Sequence, residues 1–460
     1  MKITANRPKG ACSHTLVWFR RDLRLADLPT LLTAASSTDS ALGLFVLDEA
    51  LLNLSGNRRR AALFACLHEL NERLNGSLLV VTGDPREVVP KIARQIDAEQ
   101  VHVTADFGPY GAQRDRDVEQ HIELVRTGSP FAVSPGRVVK PDGSSYQVFT
   151  PFYKRWLDHG WRAPAQTDAT TLTWIDPDTV DGCRRVAIPT AEKPVCPVGE
   201  RAARQQWAEY LDGPIHEYDN HRDRPDLDAT SRMSVHLKLG TIHPRTMLAD
   251  LDALTSEGAR AYRRQLAWRD FYGDVLARNP DSARHNLNRT YDGMPTDEKE
   301  PNAQEHFTAW CEGRTGFPIV DAGMRQLAGE GWMHNRVRMI VASFLVKDLH
   351  LPWWWGARHF MQHLVDGDLP ANQHGWQWVA GSGTDAAPYF RVFNPITQGQ
   401  RYDPQGDYVR RWVPELRSIE GKAVHTVGER SVDVPGYPAP MVDHAEERRD
   451  ALARYDRIKK

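Results

Sequence analysis

The first 130 residues repeat one pattern, a short apolar run followed by an amphipathic stretch of 10 to 17 residues, and few folds tolerate that alternation. The runs are His14 to Phe19 (HTLVWF), Ala41 to Leu47, Ser77 to Thr82 and Val101 to Val103. Arg58 to Leu74 and Pro85 to Ile96 lie between them with helical spacing. A strand too apolar to expose either face, followed by a helix and another such strand, gives β-α-β units and a parallel sheet covered on both sides. The expected fold is therefore a doubly wound, Rossmann-like α/β domain over residues 13–130. Right-handed crossovers would align the strand carboxyl ends, with Asp22, Asp48 and Asp106, along the edge where ligands usually bind.

Beyond Phe131 the pattern stops. Residues 131–200 are rich in Pro, Gly, Ser and Thr with little periodicity and read as a long linker. From Arg201 onward the spacing is helical with almost no strand runs, so residues 201–460 are expected to form an all-α domain. The chain of 460 residues is long enough for two or three packed units.

Several function classes are disfavoured at once. Five cysteines (Cys12, Cys66, Cys183, Cys196, Cys311) lie far apart with no C-x-x-C pair, which argues against a disulfide framework and a cysteine-held metal; no metal site is expected. No apolar stretch approaches the roughly 20 residues that span a bilayer, and no apolar run follows the basic start, so a cytoplasmic location is expected. The formal charge of -2 announces no nucleic-acid binder, and residues 261–400 carry 14 Lys+Arg against 15 Asp+Glu. Any basic surface must come from segregation of charge by folding.

Three clusters carry chemistry. On one helical stripe, Gln265, Trp268, Arg269 and Tyr272 recur at i, i+3, i+4, i+7 and place an amide, an indole, a guanidinium and a phenol where a core stripe would be aliphatic. Such a face can stack on a planar base and pair with its edge. Thr230-Ser-Arg-Met-Ser234 offers hydroxyls and backbone N–H groups for a diphosphate, although a simple Ser/Thr helix cap explains most such motifs. Asn335, Arg338, Met339 and Ala342 share a third stripe, with Asp366-Gly-Asp368, Asn372 and Trp376-Gln-Trp378 downstream. A buried Arg338 ion pair with Asp366 or Asp368 is as good a reading of that stripe as a lined pocket. Nine of the 14 tryptophans lie between Trp268 and Trp412, for most of which a core role suffices.

The segments WFRRDLRLAD (18–27), TSRMS (230–234), QLAWRDFY (265–272), GWMHNRVRM (331–339), DGDLPANQHGWQW (366–378) and PYFRVFNP (388–395) together resemble the DNA photolyase and cryptochrome family, most closely its class I cyclobutane pyrimidine dimer photolyases. The resemblance covers nearly the whole chain. It implies an α/β antenna domain followed by an all-α FAD-binding domain, and light-dependent repair in which reduced FAD passes an electron to a flipped-out dimer. FAD would be held by Tyr218, Thr230, Ser231, Arg232, Met233, Ser234, Tyr262, Arg269, Arg338, Asp366, Gly367, Asp368 and Asn372, the last facing N5. The dimer and DNA would meet Arg222, Gln265, Trp268, Tyr272, Asn335, Arg336, Met339, Trp378 and Arg391, with Gln265 and Asn335 stabilising the dimer radical.

Departures from the family pattern are informative. Many members have Glu where Gln265 stands, and an amide cannot donate a carboxylic proton. Trp376 and Trp353 match the inner pair of the tryptophan relay that re-reduces the flavin, but its outer position is Glu300, so the relay falls to Trp354, Trp355 or Tyr291 or is absent. Asn335, where (6-4) photolyases carry His, favours the cyclobutane dimer. The Asn-Glu pair of folate-binding members corresponds to Tyr110-Gly111, and Asp106 in DFGPYG matches the deazaflavin pattern, so the antenna expected is 8-hydroxy-5-deazaflavin. The partner implied is UV-damaged DNA, met by a monomer. A blue-light receptor binding FAD without repair is the alternative. A nicotinamide-linked oxidoreductase is disfavoured, because Arg20-Arg-Asp-Leu-Arg stands where G-x-G-x-x-G would follow the first strand.

Overall fold

In the computed structural model, residues 14–38, 40–180, 185–190, 193–384, 391–427 and 434–458 are described. Cys12, Cys183 and the Pro388 to Phe390 part of the last motif lie outside them. The chain separates into two compact units, the first of Met1–Arg137, Gly160–Ala208 and Met233–Leu254, the second of Val138–His159, Glu209–Arg232 and Thr255–Lys460.

The first unit is built on a parallel sheet in the order β3-β2-β1-β4-β5. Its strands are β1 (Thr15–Phe19), β2 (Ser40–Leu47), β3 (Leu78–Thr82), β4 (Gln100–Val103) and β5 (Glu123–Arg126), and a two-residue β6 (Thr173–Trp174) also pairs with β2. Register is set by pairs such as Val17↔Gly43, Leu16↔Val101 and Leu44↔Leu79. Leu16, Leu42, Leu44, Leu79 and Val101 are completely or almost completely buried, which is why these strands read as unbroken apolar runs. Strand order reverses between β1 and β4, and there the sheet edge opens.

The polar turn after β1 is a structural knot. Arg20 pairs with Asp115 at 2.6 Å, and the Asp22 carboxylate accepts from the Arg20 N–H at 2.7 Å and from Thr104 Oγ1 at 2.5 Å. Asp48 caps a short helix through Ala50 N and accepts from Tyr110 at 2.5 Å. Of the three edge carboxylates, Asp22 and Asp48 thus have internal duties. Asp27 sits at φ 49 with its carboxylate on Arg245 at 2.7 Å and on Thr246 Oγ1 at 3.1 Å.

The second unit is helical. The stretch expected to be a linker carries one helix, Phe149–His159, that belongs to this unit: Phe149, Phe152 and Trp156 are buried against helix Glu257–Arg278, and Trp156 Nε1 donates to Asp270 at 3.0 Å. The larger core gathers Trp310, Phe317, Val337, Ile340, Val341, Phe344 and Leu345 with Trp376 and Tyr408. Helix Asn335–Lys347 shows how sequence places it, since Val337, Ile340, Val341 and Phe344 recur at 3.6-residue spacing and face inward. Its first turn is capped by His334, whose Nδ1 accepts from Arg336 N at 3.2 Å.

The Asp27–Arg245 pair is buried at both ends, with side chains 4% and 8% exposed. Removing one partner strands the other charge, so Asp27→Ala should cost about 3–5 kcal/mol of unfolding free energy. Urea titration followed by far-UV circular dichroism measures it, and a loss below about 1 kcal/mol would mean that water reaches Arg245.

Candidate active site

The helical unit brings most of the expected residues onto four helices and the turns that enter them. Helix Glu257–Arg278 buries Tyr262, Leu266, Phe271 and Val275 and leaves Gln265, Trp268, Arg269 and Tyr272 half-buried along one side. Trp268 is stacked on Phe149 with ring centroids 3.7 Å apart and planes 7° from parallel. Its edge meets Phe271 and Tyr272. One indole face is thereby covered. Tyr272 in turn stacks on His374, whose imidazole burial holds neutral by lowering its pKa to about 4.

The side-chain amides of Gln265 and Asn335 make no hydrogen bond among the described residues, and Asn335 is exposed at the first turn of its helix. Met339, one turn on, is half-buried, whereas Ala342, expected on the same stripe, is inside the core. Arg338 is tied down, donating from Nε to the Met333 carbonyl and from Nη2 to Asp366, each at 2.8 Å. Of the two pairings open in the sequence, the structure selects Asp366. That carboxylate is 2% exposed, and its second oxygen is buried without a partner among the described residues. Gly367 closes the turn back onto Leu364, and Asp368 precedes helix Leu369–Ala380. Asn372, on that helix, spends its amide N–H groups on the Ala357 carbonyl at 3.1 Å and Gln373 Oε1 at 2.8 Å. Its carbonyl oxygen is left as an acceptor.

The TSRMS segment is divided. Thr230, Ser231 and Arg232 belong to the helical unit, Met233 and Ser234 to the other. Met233 is buried and Ser234 opens helix Ser234–Leu239. Ser231 Oγ lies 2.7 Å from the Tyr262 hydroxyl, Tyr218 packs edge-on against the Tyr262 ring, and burial raises the Tyr218 phenol to about 12. Thr230 Oγ1 is buried with no partner among the described residues. Arg232 is engaged by its neighbours. It stands at φ 52, pairs with Asp228 at 2.8 Å and Glu330 at 3.3 Å, and lies over the Trp332 ring. Its guanidinium braces the turn.

The arginines expected at DNA phosphates are placed unequally. Arg336 pairs with Asp223 at 3.0 Å and lies over Tyr402, Arg222 has the same aspartate at 3.9 Å and Tyr218 beneath it, and Arg391 is exposed over Trp378. Trp376 is buried edge-to-face with Phe360 and Trp310, and Trp353 donates to Asn286 at 2.9 Å and meets half-buried Trp354 at a centroid distance of 6.0 Å. Glu300 is exposed.

Sequence reasoning missed Phe149, Asp223, Gln373 and Tyr402. For Phe149 the signal existed, because Phe149, Phe152, Tyr153 and Trp156 follow i, i+3, i+4, i+7. For the others, single polar or aromatic residues in unpatterned turns carry none.

In the first unit, the Asp106 carboxylate accepts from Gly108 N at 3.1 Å and faces Arg114 at 3.5 Å. Burial alone would raise its pKa, but Arg114, Arg21 and Arg20 together hold it below the usual range. A Cβ at Gly111 would lie 2.0 Å from an Asp106 oxygen, so no larger residue fits there while Asp106 keeps its place.

Two family models match the chain: "DNA photolyase" over residues 15–170 and "FAD binding domain of DNA photolyase" over residues 262–457. The curated deoxyribodipyrimidine photo-lyase of Streptomyces griseus is 40% identical, with 97% of this chain and 99% of the relative covered. That of Escherichia coli K12 is 37% identical over the same shares. Among solved structures, a class III photolyase from Agrobacterium tumefaciens superposes with a TM-score of 0.85 at 32% identity over the full length of both chains. A Synechocystis cryptochrome also gives 0.85, at 28% identity, covering 98% of this chain and all of the other.

Gly356 sits under Trp376, where a Cβ would lie 2.1 Å from the indole and 2.6 Å from Leu345. Gly356→Ala should therefore overpack this core by about 1–3 kcal/mol. A lower melting temperature with an altered tryptophan near-UV dichroism is the expected result, and an unchanged spectrum would mean that the ring is not held there.

Proposed function

The chain belongs to the DNA photolyase family, and from that membership we propose that it is a deoxyribodipyrimidine photo-lyase that splits cyclobutane pyrimidine dimers in DNA under blue or near-UV light. The observation that carries the reading is Trp268, an indole with one face covered by Phe149, which follows the uncommitted amide of Gln265 on the same helix face, while Asn335 opens another helix with its amide also unbonded. An amide free of protein partners next to a stacking ring suits the edge of a base lifted from the duplex.

The residues present also fit a flavin. Buried and unpartnered, Thr230 Oγ1 and Asp366 Oδ1 are a hydroxyl and a carboxylate oxygen left for a bound polar group, and Tyr218, Ser231 and Tyr262 line the same turn. When bound and reduced, FAD supplies the light-driven electron. Arg338 and Asp366 would flank its ring system, Asp368 would contact it, and Asn372 would offer its carbonyl oxygen at N5. Gln265 and Asn335 stabilise negative charge on the dimer while its two linking bonds open, Met339 and Trp378 close the pocket, and Arg222, Arg336 and Arg391 hold phosphates. Arg336 reaches phosphate by giving up Asp223. Trp376, Trp353 and Trp354 form the relay that returns the flavin to its reduced state, with the half-buried Trp354 taking the outer role in place of Glu300.

The antenna assigned is 8-hydroxy-5-deazaflavin beside Asp106. The cramped Gly111 supports it over folate, because the Glu of the folate-type pair would collide with Asp106. An archaeal photolyase from Sulfolobus tokodaii, 29% identical with a TM-score of 0.84 over 96% of this chain and all of that one, was solved with two FAD molecules. FAD is therefore the competing antenna in reconstitution. No helix among the described residues is long and apolar enough to cross a membrane. The enzyme is assigned to the cytoplasm, acting as a monomer on nucleoid DNA.

The test is incubation of the reduced, FAD-loaded protein with an oligonucleotide carrying one thymine dimer, in blue light and in darkness. Loss of dimer only in light is expected. Binding without repair, with the flavin shown to be fully reduced, would transfer the chain to the blue-light receptors of its family and make Gln265→Glu the next variant. Trp268→Ala should weaken dimer binding by about 1–3 kcal/mol while FAD stays bound. Flavin loss instead would misplace that ring. Asn372→Asp should put a negative charge beside the flavin and make its reduced anion harder to hold, read as a lowered reduction potential.

A further inference from the structure

The last helix of the helical unit, His444–Ile458, buries only Ala451 among its 15 residues, so its docking on the rest of the unit is almost wholly polar. His350 sits at the centre of that docking. The residue is 5% exposed, and its Nε2 lies 2.8 Å from Glu447 Oε2 and 3.5 Å from Asp450 Oδ2. Glu447 and Asp450 are three apart on the helix and so share a face. One ligand atom from each of the three residues lies within 4.8 Å of the other two.

A hydrogen bond from His350 to Glu447 explains the first contact but not the second. One ring N–H serves one acceptor, and a second carboxylate converging on the same nitrogen adds repulsion that a cation relieves. Among the described residues Glu447 has no side-chain partner other than His350. Asp348, close enough to act on both, adds a like charge and is itself answered by His444 at 2.5 Å and by Lys347. Asp450 has Arg454, with Arg457 acting on it from further along the helix. Arg454 is anchored elsewhere too, holding both oxygens of Asp297 at 2.6 and 3.0 Å, and it takes only Oδ2 of Asp450. Oδ1 of Asp450 is left over. Two N or O donors at about 2.0–2.2 Å from one zinc ion, at octahedral or tetrahedral angles, stand about 2.9–3.5 Å apart, and the His350 nitrogen is already at about those distances from both carboxylates.

We propose that His350, Glu447 and Asp450 form a binding site for one divalent first-row metal ion, zinc or manganese in kind, which clamps the last helix to the turn before helix Trp353–His363. One imidazole with two carboxylates is a mixed nitrogen and oxygen set, which suits these ions over soft copper(I) and over calcium with its preference for oxygen alone. His350 and Arg454 also line a cavity of about 490 Å³, where water completes the coordination. The ion joins residues 97 apart in sequence, and its role is structural. None of the three ligands serves the flavin, the dimer or the tryptophan relay, so the proposal stands apart from the repair reading.

Isothermal titration calorimetry of the FAD-loaded protein, freed of metal with EDTA, tests it with zinc chloride and with manganese chloride. A saturable site is expected for at least one of the two ions, weakened about tenfold by Glu447→Gln and by Asp450→Asn and absent in the double variant. Both side chains are partly exposed and the amides keep their shape, so these variants fold even where His350→Ala does not. Trypsin supplies a readout besides heat, because the ion should slow cleavage at exposed Arg448 and Arg449 in the wild type and not in the double variant. Equal affinity in the wild type and the double variant would put the metal on other side chains, and no saturable binding of either ion would make the triad a plain ion pair. Either result overturns the proposal.

Discussion

The ion pair between Arg338 and Asp366 is the constraint on which the site depends. It joins the helix that presents Asn335 and Met339 to the turn that launches the helix bearing Asn372, Trp376 and Trp378. A carboxylate 2% exposed is tolerable only with a cation in hydrogen-bond contact, and Arg338, 24% exposed, is itself held by the Met333 carbonyl. The backbone repeats the tie one residue away, where Val365 N donates to the Gly331 carbonyl at 2.8 Å. Two helix starts are thereby fixed to each other, and the short side chains on their first turns need no further bracing. That is why Asn335 can stand exposed and uncommitted.

The same economy governs the aromatic side of the site. Trp268 is fixed by stacking on Phe149, and Phe149 is fixed by a helix whose Trp156 is bonded to buried Asp270. The stacking platform thus rests on a segment more than a hundred residues away in sequence. A ring supported on one face and crowded at its edge has little side-chain freedom left to lose, which makes it a preorganised surface. Gln265, one turn earlier, shares that rigidity because its helix is buried through Leu266 and Tyr262.

How far this was legible follows from what each residue does for the fold. Strands β1 to β4 were readable because they are buried on both faces and their sequences are unbroken apolar runs. β5, Glu123–Arg126, runs exposed, buried, half-buried, exposed at the sheet edge, and β6 has two residues, so neither leaves a periodic trace. The helix Phe149–His159 was hidden by the prolines, glycines and serines before it, although its aromatic spacing was visible once isolated. The polar and aromatic stripes on helices were readable by their 3.6-residue period, unlike the strands. A motif reports residue types and not the partners each one finds in the turn, as with Arg232. Its left-handed backbone and its two carboxylate partners come from tertiary contacts with Asp228 and Glu330.

Asn372 shows how neighbours decide the chemistry of a residue whose identity alone leaves it open. An amide can present a donor or an acceptor, but here both N–H groups are engaged, by the Ala357 carbonyl and by Gln373. What remains is a neutral oxygen, which can accept a hydrogen bond without carrying a full negative charge. An aspartate would keep the acceptor and add that charge, lose the two donations and leave the Ala357 carbonyl seeking a partner. Asn at this position therefore closes the start of helix Leu369–Ala380 against the 353–363 helix and keeps an uncharged acceptor oxygen.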